Sequence, residues 1–302
     1  MRVLIVGCGY VGLPLGAELA RQGHEVFGLR RSATAEDEMK AAGIRPLAGD
    51  VTKPETPAKL PRQFDWVVNC VAAGGGAENY RQIYLEGNRN LVSWLADSPP
   101  QKFVFTSSTS VYGQDDGSVV TENSPAEPAE ETSKVLVETE KLLQAAAAQR
   151  RFPAVILRVA GIYGPGRGHW FKQFLKNEAR IEGDGSRFLN MIHRDDVAGC
   201  IIAALNNGQP GEIYNAVDDE PVTQLKFFEW LASELKRPLP PRIPPEAEIR
   251  RKRGATNKRV SNARLRTELK YDFQFPDFRK GYAAEIRRLE SPGRPDMEPE
   301  TR

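Results

Sequence analysis

The chain has 302 residues, 40% of them hydrophobic, enough to bury a substantial core in one large α/β unit or in a main domain with a smaller lobe. Its 42 Lys and Arg nearly balance 40 Asp and Glu, so the net charge of +2 supplies no whole-molecule attraction for nucleic acid or an anionic membrane, and neither is expected as a partner. The three cysteines, Cys8, Cys70 and Cys200, lack metal-ligand spacing and fit a reducing compartment, so no metal site is expected and the expected location is cytoplasmic.

The first apolar run, residues 3–6, is rich in β-branched side chains and reads as a strand buried on both faces of a parallel sheet. It superficially resembles a short signal sequence ending at Cys8, but four apolar residues fall short of the roughly 7 to 15 that such a region needs. Leu13, Leu15, Ala17, Leu19 and Ala20 then supply the apolar side of a helix ending near Gly23, and residues 25–29 read as a second strand. Further short apolar runs at 66–71, 103–106 and 154–159 alternate with helical segments at 81–96 and 134–150. That alternation predicts a Rossmann-type, doubly wound parallel sheet with helices on both faces.

Beyond Gly164 the alternation weakens, and Pro, Gly and charged residues punctuate shorter elements. The expected organisation is a dinucleotide-binding domain over 1–165, completed by later return segments, a smaller substrate-binding lobe over 166–290, and a disordered tail over 291–302. The Pro-rich stretch 238–245 reads as an extended connector. The basic run 250–253, with Lys258 and Arg259 nearby, reads as a solvated face. No stretch approaches the roughly 18 apolar residues of a membrane-spanning helix.

Gly7, Cys8, Gly9, Tyr10, Val11 and Gly12 form a GxGxxG turn between the first strand and the first helix. The first glycine makes the tight turn, the second lets backbone approach a pyrophosphate, and the third allows close helix packing, while the helix N-terminus offers free N–H groups to phosphate. An NAD-specific site places an acid near the end of the second strand to accept from the ribose hydroxyls. Here Arg30, Arg31 and Ser32 stand there instead, a set suited to the 2′-phosphate of NADP, so NADP(H) is the expected coenzyme and NAD(H) the alternative. Asp50, closing a third short segment, is a candidate acceptor for the adenine amino group. The loops after Val71, Thr106 and Val159 should border a common cleft at the carboxyl ends of the strands.

Several segments in order resemble the extended short-chain dehydrogenase/reductase family, which includes NAD-dependent sugar epimerases and dehydratases. They are the glycine turn, residues 69–73 with Ala72 in the loop after the fourth strand, Asn88, the run from Thr106 to Gly113, Arg158 with 161–166, and 192–197. The resemblance implies that Ser108 sits beside the substrate hydroxyl and that Lys134 bonds the nicotinamide ribose. The family's Tyr, four residues before that Lys, is replaced by Glu130, a carboxylate at neutral pH that reads best as a surface partner of Lys134. Gly161 replaces an Asn, Leu189-Asn190-Met191 replaces Arg-Asp-Phe, and Val6 replaces the first glycine of the longer family pattern. These departures resemble the atypical branch, which keeps the coenzyme turn without the Tyr, and they count against a UDP- or GDP-sugar substrate.

Other candidates carry less. Tyr112 and Tyr163 lie on loops bordering the predicted cleft and are candidate phenols, and His169 is a candidate substrate contact. His193 lies in a segment where packing or helix capping is expected, with Asp195 and Asp196 suited to cap. Cys8 is expected to pack against the sheet. The leading expectation is an NADP(H)-dependent oxidoreductase or epimerase-like enzyme acting on a small hydroxyl or carbonyl compound. The alternative is a non-catalytic NAD(P)-binding or redox-sensing protein. The resemblance also implies a homodimer paired through the helix at 134–150.

Overall fold

The computed structural model describes residues 1–32, 35–58, 60–243 and 256–290. The basic run 250–253, the end of the Pro-rich stretch and the tail 291–302 lie outside the described residues.

Seven short apolar runs assemble into one sheet: β1 (Arg2–Val6), β2 (Glu25–Arg30), β3 (Ile44–Ala48), β4 (Trp66–Asn69), β5 (Lys102–Ser108), β6 (Ala154–Val159) and β7 (Ile213–Ala216). Their order is β3-β2-β1-β4-β5-β6-β7, and every neighbouring pair is parallel. The predicted α/β architecture, a doubly wound parallel sheet, is therefore observed. Val3, Leu4 and Ile5 in β1 and Val104 and Phe105 in β5 are fully buried, as strands covered on both faces must be. Because the chain winds outward from β1 to β3 and then returns to β4 on the other side, the order reverses between β1 and β4, which opens a crevice at their carboxyl ends.

The sheet is flanked by α1 (Gly12–Arg21), α2 (Glu36–Ala41), α3 (Gly87–Leu95) and α4 (Glu131–Arg150), with a π-helical turn, Arg81–Glu86, leading into α3. A second apolar cluster lies beyond it, built from α5 (His169–Leu175), α7 (Gln224–Leu235) and α8 (Phe278–Glu290), with α6 (Arg194–Asn207) and β7 returning between them to the main sheet. Aromatic side chains fill this cluster: Tyr163 stacks on Tyr282 at 4.4 Å, and Phe227 lies 5.4 Å from Phe278 and from Tyr282. Its docking beside the strand ends gives the crevice a second wall.

Candidate coenzyme and substrate site

The glycine turn has the geometry its sequence requires. Gly7 adopts φ +86°, and a Cβ there would lie 2.7 Å from the Val71 backbone. At Gly12 a Cβ would lie 2.6 Å from the Gly7 carbonyl oxygen, so the third glycine lets α1 approach the turn. Gly9 differs: only the Gly7 oxygen, at 4.0 Å, comes near its missing Cβ, leaving that face open to a ligand. No side chain caps α1, but within its first turn the Leu13 and Leu15 amides already donate to the Gly9 and Val11 carbonyls and Pro14 has no N–H, so an anion would meet the amides of the preceding glycine turn rather than those of the helix. Cys8 packs in the core, where burial pushes its thiol up to about 11, and Cys70 donates to the Gly7 carbonyl at 3.3 Å.

A cleft of about 320 Å³ extends from this turn over the carboxyl ends of the strands. Gly7, Gly9, Tyr10, Val11, Arg30, Arg31, Asp50, Ala72 and Ser108 all line it. Gly12 and Ser32 do not: Gly12 is buried behind the turn. Arg30 lies 3.9 Å from Glu38, a loose and largely exposed pairing that leaves the guanidinium able to take a stronger partner. One oxygen of Asp50 accepts from the Thr52 amide at 3.0 Å and from its hydroxyl at 2.8 Å, fixing the carboxylate at the cleft wall.

The structure does not bring Lys134 to the cleft. The residue lies on the outer side of α4, half exposed, with its ammonium 2.7 Å from Glu131. Glu130 is not in the helix at all: its backbone is extended (φ −75°, ψ 132°), and it is the N-cap, with its carbonyl accepting from the Ser133 and Lys134 amides. A Glu130–Lys134 pair therefore does not form. The register of α4 instead turns Ser133, Leu136, Thr139 and Glu140 inward. Buried Ser133 donates to Ser110 at 3.0 Å, and Ser108 accepts from the Ser110 amide at 3.2 Å, so α4 holds the short stretch that carries Ser108 and Ser110 to the cavity walls.

The candidate phenols are elsewhere. Tyr112 is fully buried, donating to Asn215 at 2.8 Å and accepting from Arg158 at 2.9 Å, while Arg158 is clamped by Glu140 at 2.7 Å. Tyr163 is buried in the aromatic cluster. Burial pushes both phenols above their ordinary range. His193 serves as the N-cap of α6, its Nδ1 accepting from the Asp195 amide at 3.2 Å. Asp196 does not cap; it accepts from the Tyr271 hydroxyl and from the Gln274 and Phe275 amides, anchoring the segment that leads to α8. His169 starts α5 and lines a second cavity.

Two site residues escape sequence reasoning. Arg167 reaches the cleft from the loop before α5, with its guanidinium 5.0 Å from the Tyr10 ring centre. Lys258 reads in sequence as part of a solvated charge run, yet it is 5% exposed and lines a cavity of about 250 Å³ that shares Ser108 and Ile162 with the coenzyme cleft. The only local sign was a lysine next to Arg259-Val260, the start of a strand.

Comparison with known proteins agrees with this geometry. Residues 3–216 match the NAD dependent epimerase/dehydratase family. Protein YeeZ of Escherichia coli K12 is 30% identical over 290 residues, covering 91% of this chain and 97% of that protein. A Methylobacillus flagellatus structure, provisionally described as an NAD-dependent epimerase/dehydratase, is 33% identical with a TM-score of 0.77, covering 96% of this chain and 99% of its own. A dTDP-glucose 4,6-dehydratase of Streptomyces venezuelae, solved with NAD bound, shares the fold at 22% identity and a TM-score of 0.82, covering 96% of this chain and 97% of its own.

Proposed function

Because the chain belongs to the NAD dependent epimerase/dehydratase family, whose enzymes work through a nicotinamide coenzyme, we propose that it is an oxidoreductase or epimerase-like enzyme holding NADP(H) in this cleft. The observation that carries the coenzyme choice is the end of β2, where Arg30 and Arg31 line the wall and no acid does. Two guanidiniums suit a 2′-phosphate, and the glycine turn at the positive end of α1, with the open face of Gly9, suits the pyrophosphate. Asp50 would take the adenine end, and Gly9 and Ala72 would lie against the coenzyme.

The bound coenzyme supplies hydride transfer. Ser108, at the far end of the cleft, orients the oxygen of a small hydroxyl or carbonyl substrate. With Lys134 outside the cleft and Tyr112 and Tyr163 held in buried contacts, proton exchange runs through the Ser108 hydroxyl or through solvent rather than through a Tyr–Lys pair. A homodimer would use the outer face of α4.

The test is turnover. The NADPH-loaded protein is offered aldehydes, ketones and oxidised sugars, and absorbance of the reduced coenzyme is followed. Oxidation that Ser108→Ala slows at least tenfold supports the reading. Binding without oxidation of any compound would favour the non-catalytic coenzyme-binding alternative.

A further inference from the structure

The cavity next to Ser108 contains a buried cation with no counter-charge among the described residues. Lys258 is 5% exposed, and its ammonium donates to the Tyr112 carbonyl at 2.8 Å and to the Thr256 hydroxyl at 3.0 Å. An ammonium carries three donors, so one remains for a further acceptor. No carboxylate pairs with it among the described residues. The same wall carries another cation, Arg187, which lies 3.7 Å from Glu182. Burying a charge without its opposite is costly, and proteins seldom retain one for packing alone.

We propose that this second cavity receives an anionic group of the substrate, a carboxylate or phosphate oxygen, with the Lys258 ammonium as its counter-ion. The inference rests on the coenzyme reading in one respect, that Ser108, shared by both cavities, marks where the reacting end of the substrate lies. The substrate then spans the two: its hydroxyl or carbonyl sits at Ser108 and its acidic end at Lys258. Asn190 fixes the geometry by donating to the Lys258 carbonyl at 2.9 Å and accepting from the Val260 amide at 2.8 Å. Burial and the neighbouring Arg187 lower the Lys258 ammonium to about 8, and an anion in the cavity would oppose that shift.

The experiment uses the full-length protein saturated with NADPH, titrated calorimetrically with inorganic phosphate and separately with acetate at constant ionic strength. Saturable binding of one of them is expected, weakened at least tenfold in Lys258→Gln and retained in Lys258→Arg, with NADPH affinity within twofold in both. Trp170 also lines the cavity, so its fluorescence should report anion binding in the unaltered protein, and Trp170→Phe should remove that signal while leaving the heat; this readout holds if the Lys258→Gln protein fails to fold. Phosphate binding alone would point to a phosphorylated substrate, acetate binding alone to a carboxylic acid. No saturable binding of either, or binding that Lys258→Gln leaves within twofold, overturns the inference. NADPH binding without anion binding would sink this inference alone, whereas failure to bind NADPH would sink the coenzyme reading.

Discussion

In the proposed reading Arg30 and Arg31 choose the coenzyme, because each can pair in a fork with phosphate oxygens and Arg30 is held by Glu38 only at 3.9 Å. Reversing both charges, Arg30→Glu with Arg31→Glu, should weaken NADPH binding by roughly 10- to 100-fold, the scale of one or two charge-assisted hydrogen bonds, while NADH changes by less than about threefold. Fluorescence titration of the double variant with each coenzyme reads this directly, and an equal loss for both would remove the 2′-phosphate from the account. His193 is a second residue with a measurable signature. Burial lowers its imidazole from the ordinary 6.5 to about 4, with the Asp195 carboxylate partly opposing. Between those values the unfolded chain binds the proton and the folded one does not, so folding stability falls as pH drops from about 6.5 to about 4, by at most about 1.4 kcal/mol per pH unit. Asn at this position can still cap α6 but does not titrate. Urea unfolding at pH 7 and pH 4.5 should therefore show a smaller acid loss in His193→Asn than in the parent, and equal losses would mean that His193 is protonated in the fold.

At the scale of elements, the register of α4 and the turn before α1 carry opposite lessons. Where α4 begins is set by Glu130 leaving the helix, and the inward face then falls on Ser133, Leu136 and Glu140. Lys134 is left in an exposed pair, worth about 0 to 1 kcal/mol. Lys134→Ala should accordingly change coenzyme affinity and turnover by less than twofold; a tenfold loss of either would restore its assignment to the ribose. Gly12 is the reverse case, because a Cβ there would meet the Gly7 oxygen at 2.6 Å and Ile5 at 3.0 Å. Gly12→Ala should destabilise the protein by about 1 to 3 kcal/mol and weaken NADPH binding, measured by thermal unfolding with and without coenzyme. The β1–α1 turn was readable because its glycines fall within six residues, two of them, Gly7 and Gly12, answering local steric demands and the third, Gly9, leaving an open face. The expected Glu130–Lys134 pair was not readable, because spacing alone does not fix where a helix starts: Glu130 stays outside α4 and Lys134 pairs with Glu131 instead.

For the molecule as a whole, the sheet was legible since each strand is a short apolar run bounded by turn residues, and a parallel order with one reversal fixes where a ligand must lie. The second cavity was not legible. Its wall joins Ser108, Arg187 and Lys258, brought together only by the packing of the aromatic cluster against the strand ends. The same distance in sequence hid the Glu140–Arg158–Tyr112–Asn215 network, which takes one member from each of three elements and one from a loop and removes a candidate phenol from the cleft. The central claim is that the cleft between this network and the glycine turn holds NADP(H). Side-by-side fluorescence titration of the purified protein with NADPH and NADH tests it most directly. The account predicts saturable NADPH binding at least tenfold tighter than NADH; equal affinities would contradict the assignment of Arg30 and Arg31, and no binding of either would contradict the coenzyme site itself.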